Sequence, residues 1–189
     1  MKNKRKNLLL LGLILSIILN LYLFQQLNDS KDKSRIALFE KIKNGVSYSY
    51  EFGETLQRKY NDVSEREKAE YLTAMFWSLQ LSTHMLEAAE PNDDRYRELA
   101  GLFSIYSHIP SSNDLGELIN KVDVSDENKL KLLDIWLSDM KYLDKNLHSL
   151  QLAEMDYSEL RAFWEMLLQN LEYEDEALNR YKQSFLNGI

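Results

Sequence analysis

The sequence predicts an all-α protein, an N-terminal transmembrane helix followed by an antiparallel up-and-down helical bundle. Three observations carry this. A charge-free run of 17 residues, Leu8 to Phe24, follows directly on four basic residues. From Phe39 onward, apolar residues recur at alternating three- and four-residue steps, the period of one helix face. The 189 residues include only two prolines, Pro91 and Pro110, and six glycines, too few turn formers for an all-β sandwich.

The anchor comes first. As a helix, Leu8–Phe24 spans about 26 Å, the short end of a bilayer crossing. Snorkelling of Lys6 and the interfacial ring of Tyr22 extend its reach. A cleaved signal peptide is the rival reading. Its apolar core is about 7–15 residues long and ends in a small-x-small site, and Tyr22-Leu23-Phe24-Gln25-Gln26-Leu27-Asn28 offers none. Lys2, Lys4, Arg5 and Lys6 keep the N-terminus cytoplasmic by the positive-inside rule. The predicted order is a basic cytoplasmic tail (1–7), a signal-anchor helix (8–27), a polar connector (28–33) and an extracytoplasmic bundle (34–189), making a single-pass protein of the cell membrane. Gly12, Ser16 and Asn20 recur every fourth residue and share an arc of about 80°. Small residues admit close helix approach, and a buried amide seeks a hydrogen bond, so these three form the candidate membrane-helix association face.

The bundle helices follow in order. One stripe runs Phe39, Ile42, Val46, Ser49, Gly53, Leu56, Tyr60. A second runs Ala69, Leu72, Phe76, Leu79, Thr83, Leu86, and Leu99, Phe103, Tyr106 make a shorter one. Leu133, Trp136, Met140, Leu143, Leu147, Leu150 form the next. The last is Leu160, Trp164, Leu167, Leu171, Glu174, Leu178, Tyr181, Phe185, in which Glu174 marks a kink or a buried polar contact. Ser64 with Glu67, and Asp156 with Glu159, have the capping-box spacing. Ser125 precedes two acids that suit a helix start, and Pro91 and Pro110 punctuate. Helices are predicted near 34–60, 65–89, 93–108, 113–121, 126–150 and 157–186. Val46, Tyr48, Tyr50 and Phe52 also alternate, so a strand over 46–52 is the alternative to helix there.

Composition narrows the function classes. Four of the 23 basic residues precede residue 25 with no acid among them, leaving 19 against 30 acids. A domain this acidic has no basic surface to displace phosphate counterions, so nucleic acid is not an expected partner. There is no cysteine, which excludes disulfides and thiolate metal sites. This cysteine-free, Lys/Asn/Ile-rich composition resembles that of Gram-positive bacterial envelope proteins.

Chemistry-bearing motifs are sparse. His84, His108 and His148 lack the Glu-x-x-His spacing of bundle metal sites, and read as surface or helix-end residues. Asp123-Val124-Ser125-Asp126-Glu127 lacks the glycine and terminal Glu of a calcium loop. Asp93-Asp94 and the cluster at 172–176 read as solvated or helix-start acids. No nucleophile elbow, phosphate loop or dinucleotide fingerprint occurs. No catalytic residue, cofactor or metal site is predicted, and the chain is not expected to be an enzyme. The 11 tyrosines suit half-wet interfaces or the rim of a small core. Trp77, Trp136 and Trp164 read as one packing solution repeated on three helices. The expected function is a membrane-tethered extracytoplasmic interaction module, an accessory or regulatory subunit of a cell-envelope complex that meets another membrane or envelope protein or itself. The alternatives are a ligand-binding sensor bundle acting through a membrane partner, and a cell-wall hydrolase whose two carboxylates need no local motif.

Overall fold

The computed structural model describes the backbone at residues 2–89, 94–111 and 126–187. Seven helices and no strand occur among the described residues: α1 (Lys2–Lys59), α2 (Glu65–Ala89), α3 (Asp94–Ser111), α4 (Asp126–Asn146), α5 (Ser149–Glu154), α6 (Tyr157–Gln169) and α7 (Glu176–Asn187). The helix predicted at 113–121 and the Ser125 cap lie outside them.

Helix α1 runs unbroken for 58 residues, about 87 Å. The connector at 28–33 is therefore helical. It contains no Pro or Gly to stop the helix, and the Ser34 hydroxyl donates back to the Ser30 carbonyl at 2.8 Å. The segment 46–52 is helical too. Val46, Ser49 and Gly53 are buried while Tyr48 and Phe52 point outward, so the three-and-four spacing decides over the alternation. Among the described residues no helix is long and apolar enough to cross a membrane. Most side chains of the predicted anchor run, Gly12 included, lie outside the described set, whereas Ser16 and Asn20 are exposed. The transmembrane reading of 8–27 thus rests on the sequence.

Pair contacts fix the topology. Ser82 Oγ donates to the Ile42 carbonyl at 2.7 Å, and Ser49 Oγ to the Met75 carbonyl at 2.9 Å, so α1 and α2 run antiparallel. Gln80 reaches Ser107 while Phe76 meets His108, which reverses the direction again into α3. Ser47 bonds Asp144 and Gln57 bonds Asp134, setting α4 antiparallel to α1. Tyr96 faces Tyr157 and Phe103 faces Trp164, each with ring centroids 6.1 Å apart, so α6 rises beside α3. The alternation of directions matches the up-and-down expectation.

The buried faces follow the sequence stripes closely. Every member of the first is buried, as are Leu99, Phe103 and Tyr106. Both capping boxes form. Ser64 N–H donates to Glu67 at 2.8 Å and Glu67 N–H returns to Ser64 Oγ at 3.3 Å. Asp156 and Glu159 exchange the same pair of bonds at 2.8 and 2.9 Å.

Three stripes need correction. In α2, Leu72, Leu79, Thr83 and Leu86 are buried as expected, but Met75 and Ser82 join them, Phe76 is half-buried, Ala69 is exposed, and Trp77 is 62% exposed. Trp136 and Trp164 are fully buried, so only two of the three tryptophans share a packing role. The helix predicted over 126–150 stops at Asn146, whose side-chain amide donates to the Tyr142 carbonyl at 2.7 Å. The chain restarts as α5, and the break turns Leu152 inward and Leu150 outward. The helix predicted over 157–186 breaks at 170–175. The kink is real, but Glu174 itself is exposed. The buried polar contact at this break is made by Asp139 of α4.

Candidate functional site

A cleft of about 670 Å³ opens where α1 enters the described bundle. Ser30, Lys31, Ser34, Arg35 and Leu38 of α1 form one wall. They fall on one side because three- and four-residue steps stay on a single helix face. Ala88 and Ala89, at the end of α2, leave the space open by their small size. Tyr96 of α3 closes the back. The Arg35 guanidinium reaches the Tyr96 hydroxyl at 3.4 Å and also donates to the Met155 carbonyl at the end of α5. Arg35 therefore ties α1, α3 and the α5–α6 corner together while lining the cleft. Among the described residues, Asp32 is the one carboxylate on its wall.

Two polar clusters fasten the helices to one another. Arg161 of α6 makes a two-pronged contact with Glu98 of α3, at 3.2 and 3.3 Å, and donates to the Phe185 carbonyl of α7 at 2.6 Å. Tyr157 donates to the same carboxylate at 2.9 Å, and Tyr181 to the Glu98 carbonyl at 2.7 Å. Burial, then the Glu98 carboxylate, pushes the Tyr157 and Tyr181 phenols up from their ordinary value. Farther along, Asp139 accepts from the Tyr106 hydroxyl at 2.6 Å and from the backbone N–H groups of Glu172 and Tyr173, each at 2.8 Å. A helix break frees amides that need acceptors, and Asp139 supplies one carboxylate for both. Lys182 donates to the Leu171 carbonyl at 2.9 Å, and burial lowers its pKa against the opposing pull of Asp139 and Glu174.

A smaller groove, about 290 Å³, lies between α1 and α4. Its carboxylates are engaged, Glu54 by Tyr50 at 2.8 Å and Asp134 by Gln57 at 3.0 Å. A third feature is apolar. Tyr48 and Phe52 on α1, and Trp77 and Leu81 on α2, point away from the core with 38–62% exposure.

The histidines fall at the surface and at helix ends. His84 is exposed beside Glu87, at 3.3 Å. His108 is exposed in the last turn of α3, and His148 occupies the N-cap position of α5. Among the described residues, no group of three or more His, Asp or Glu could hold a metal ion. Asp123 to Ser125 lie outside the described residues, and Asp126 opens α4. Asp175 N-caps α7, accepting from the Leu178 amide at 2.9 Å. Most of the tyrosines outside the anchor serve the core or its rim, while Tyr48 is half exposed. Of the association face, Ser16 and Asn20 are exposed, and the burial of Gly12 lies outside what is described.

Sequence reasoning missed Asp139, Arg161 and Arg35. Asp139 had a readable signal, since it lies three residues after Trp136 and four before Leu143, inside the apolar arc of α4. The partners of the two arginines are 61 and 63 residues away in sequence, beyond the reach of local periodicity.

Comparison with protein-family models, with curated proteins and with solved structures finds no match to this chain.

Proposed function

We propose that the chain is a membrane-tethered extracytoplasmic interaction module, an accessory or regulatory subunit of a cell-envelope complex. One observation carries the tether. Leu19, Leu21, Tyr22, Leu23, Phe24 and Leu27 are each 45–64% exposed on a helix that continues without a break into the bundle. Successive residues of a helix point about 100° apart, so this apolar surface surrounds the helix instead of forming one stripe. Six large apolar side chains within nine residues are unfavourable in water and favourable in hydrocarbon. Together with the charge-free run behind four basic residues, this supports a helix that enters the membrane at 8–27 and leaves the bundle on the outer side.

The interaction reading is supported by the outward Tyr48, Phe52, Trp77 and Leu81, since aromatic residues are enriched where proteins meet. Gly12, Ser16 and Asn20 supply the matching face in the anchor. Asn20→Leu should weaken in-membrane association roughly threefold to twentyfold, the worth of one interhelical hydrogen bond, and Gly12→Ile adds a steric block on the same face in the double variant. Leu13→Ile serves as the control. Crosslinking within the membrane reads the result, and wild-type association in the double variant refutes the face.

A second reading, a sensor bundle acting through a membrane partner, is favoured by the cleft at the foot of the bundle. It combines polar groups with an apolar floor between three helices, as ligand sites do.

A further inference from the structure

The geometry points to the cleft at the foot of the bundle as a binding site for the phosphate of an anionic lipid headgroup. The inference rests on the tethered and sensor readings above and gives the sensor its ligand class.

Position is the first argument. The anchor ends at Leu27. Ser30 and Lys31 stand three and four residues farther along the same unbroken helix, about 5–6 Å above it, and Arg35 about 12 Å above. The headgroup layer of one leaflet is roughly 5–7 Å thick. The lower rim of the cleft therefore lies at headgroup level, and its floor lies just outside.

Charge is the second. Residues 28–43 carry five basic residues against three acids, while residues 44–189 carry 14 against 27. The acidic excess of the exported part is thus absent where α1 leaves the membrane, residues 28–35 carrying three basic residues against two acids. Lys31 and Arg35 are one turn apart on the cleft wall. Arg35 is held in place by the Met155 carbonyl and Tyr96, which pre-organises its remaining N–H donors. A phosphate takes charge-assisted hydrogen bonds from both cations.

Shape is the third. Leu38, Ala88 and Ala89 give the cleft an apolar side against which a glycerol backbone or the head of an acyl chain can lie. A free phosphate ion has no use for that side. Asp32 on the same wall repels anions in proportion to their charge, so it penalises a doubly charged phosphate more than a singly charged phosphodiester.

The test uses the full chain in an uncharged detergent. Probes are short-chain phosphatidylglycerol, short-chain phosphatidylcholine, glycerophosphate and inorganic phosphate, with binding read by native mass spectrometry. Saturable binding of phosphatidylglycerol, ahead of the other three, is expected. Lys31→Gln should weaken it about tenfold, the order of one lost charge-assisted hydrogen bond. Ala88→Phe, which fills the cleft without changing charge, should weaken it comparably. Lys33→Gln, a charge loss on the same helix outside the cleft wall, should leave it unchanged. Circular dichroism verifies that each variant is folded. Equal binding of the two lipids, equal effects of Lys31→Gln and Lys33→Gln, or undiminished binding to Ala88→Phe would overturn the site. Tighter binding of glycerophosphate or inorganic phosphate than of lipid would overturn the lipid source. Carbonate extraction of membranes reads the tether separately. A chain released by carbonate fails the tether, whereas a retained chain whose variants bind like wild type fails the site alone.

Discussion

Tyr106 donates its hydroxyl proton to Asp139 across 2.6 Å of fully buried space between α3 and α4. The same carboxylate holds the amides of Glu172 and Tyr173. It therefore joins three parts of the chain: the third helix, the fourth, and the break before the last. Asp139→Ala strands the buried amide of Tyr173, the part-buried amide of Glu172 and a buried phenol, and should cost about 3 kcal/mol or more. Tyr106→Phe removes one donor and leaves the amides paired, so its cost should be nearer 1.5 kcal/mol. Urea denaturation of the two variants measures both. A cost under about 1 kcal/mol for Asp139→Ala would show that water replaces its bonds.

The tryptophans offer an internal comparison. Trp136→Ala and Trp164→Ala should each cost about 3–5 kcal/mol, the range for large buried aromatics. Trp77→Ala, at a 62% exposed site, should stay within about 0.5 kcal/mol of wild type. Similar losses at all three positions would contradict the outward placement of Trp77.

At Gly45 the backbones of α1 and α2 approach closely. A Cβ there would stand 2.5 Å from the Ser78 carbonyl and overlap the Ser82 hydroxyl. Gly45→Ala gains helix propensity, yet it should destabilise by about 1–2 kcal/mol because the helices must separate. The neighbouring Asn44→Ala, at an exposed site, should be neutral or slightly stabilising. Thermal melts of the pair decide whether the crossing is as tight as described.

Alkaline pH should weaken the fold. Burial, followed by the Asp139 charge, holds the Tyr106 phenol well above its ordinary value, and burial does the same for Tyr181. Tyr50 is pushed up to about 12 by burial and the Glu54 hydrogen bond. A raised folded pKa gives stability that is fully present below the unfolded value of about 10 and is lost as pH climbs toward the folded value. Stability should accordingly fall from about pH 10 upward. Absorbance titration should show tyrosines that ionise only as the helices unfold. A single titration class, with no loss of helix, would contradict these environments.

Much of the bundle was legible because its periods are local. The stripe from Phe39 to Tyr60 and both capping boxes depend on residues three or four apart. The errors have a common cause. The stops at Asn146 and Asn170 are made by side-chain amides that bond the preceding turn, at 2.7 and 2.8 Å, and no period announces them. In α2, Ser82 turns inward to meet Gly45 and the Ile42 carbonyl of α1, a contact across helices that the local period does not carry. The foot cleft was not legible at all. It exists because Ala88 and Ala89 happen to stand opposite Lys31 and Arg35, residues more than fifty positions away.

The most direct test of the tethered reading exploits the absence of cysteine. A single Ser158→Cys places a thiol at an exposed position of α6, and a single Asn3→Cys places one before the anchor. Intact cells stripped of wall are treated with a membrane-impermeant maleimide, with and without lysis. Labelling of Ser158→Cys in intact cells, with Asn3→Cys labelled only after lysis, is the predicted result. Labelling of Ser158→Cys only after lysis, or release of the chain from membranes by carbonate, would contradict it.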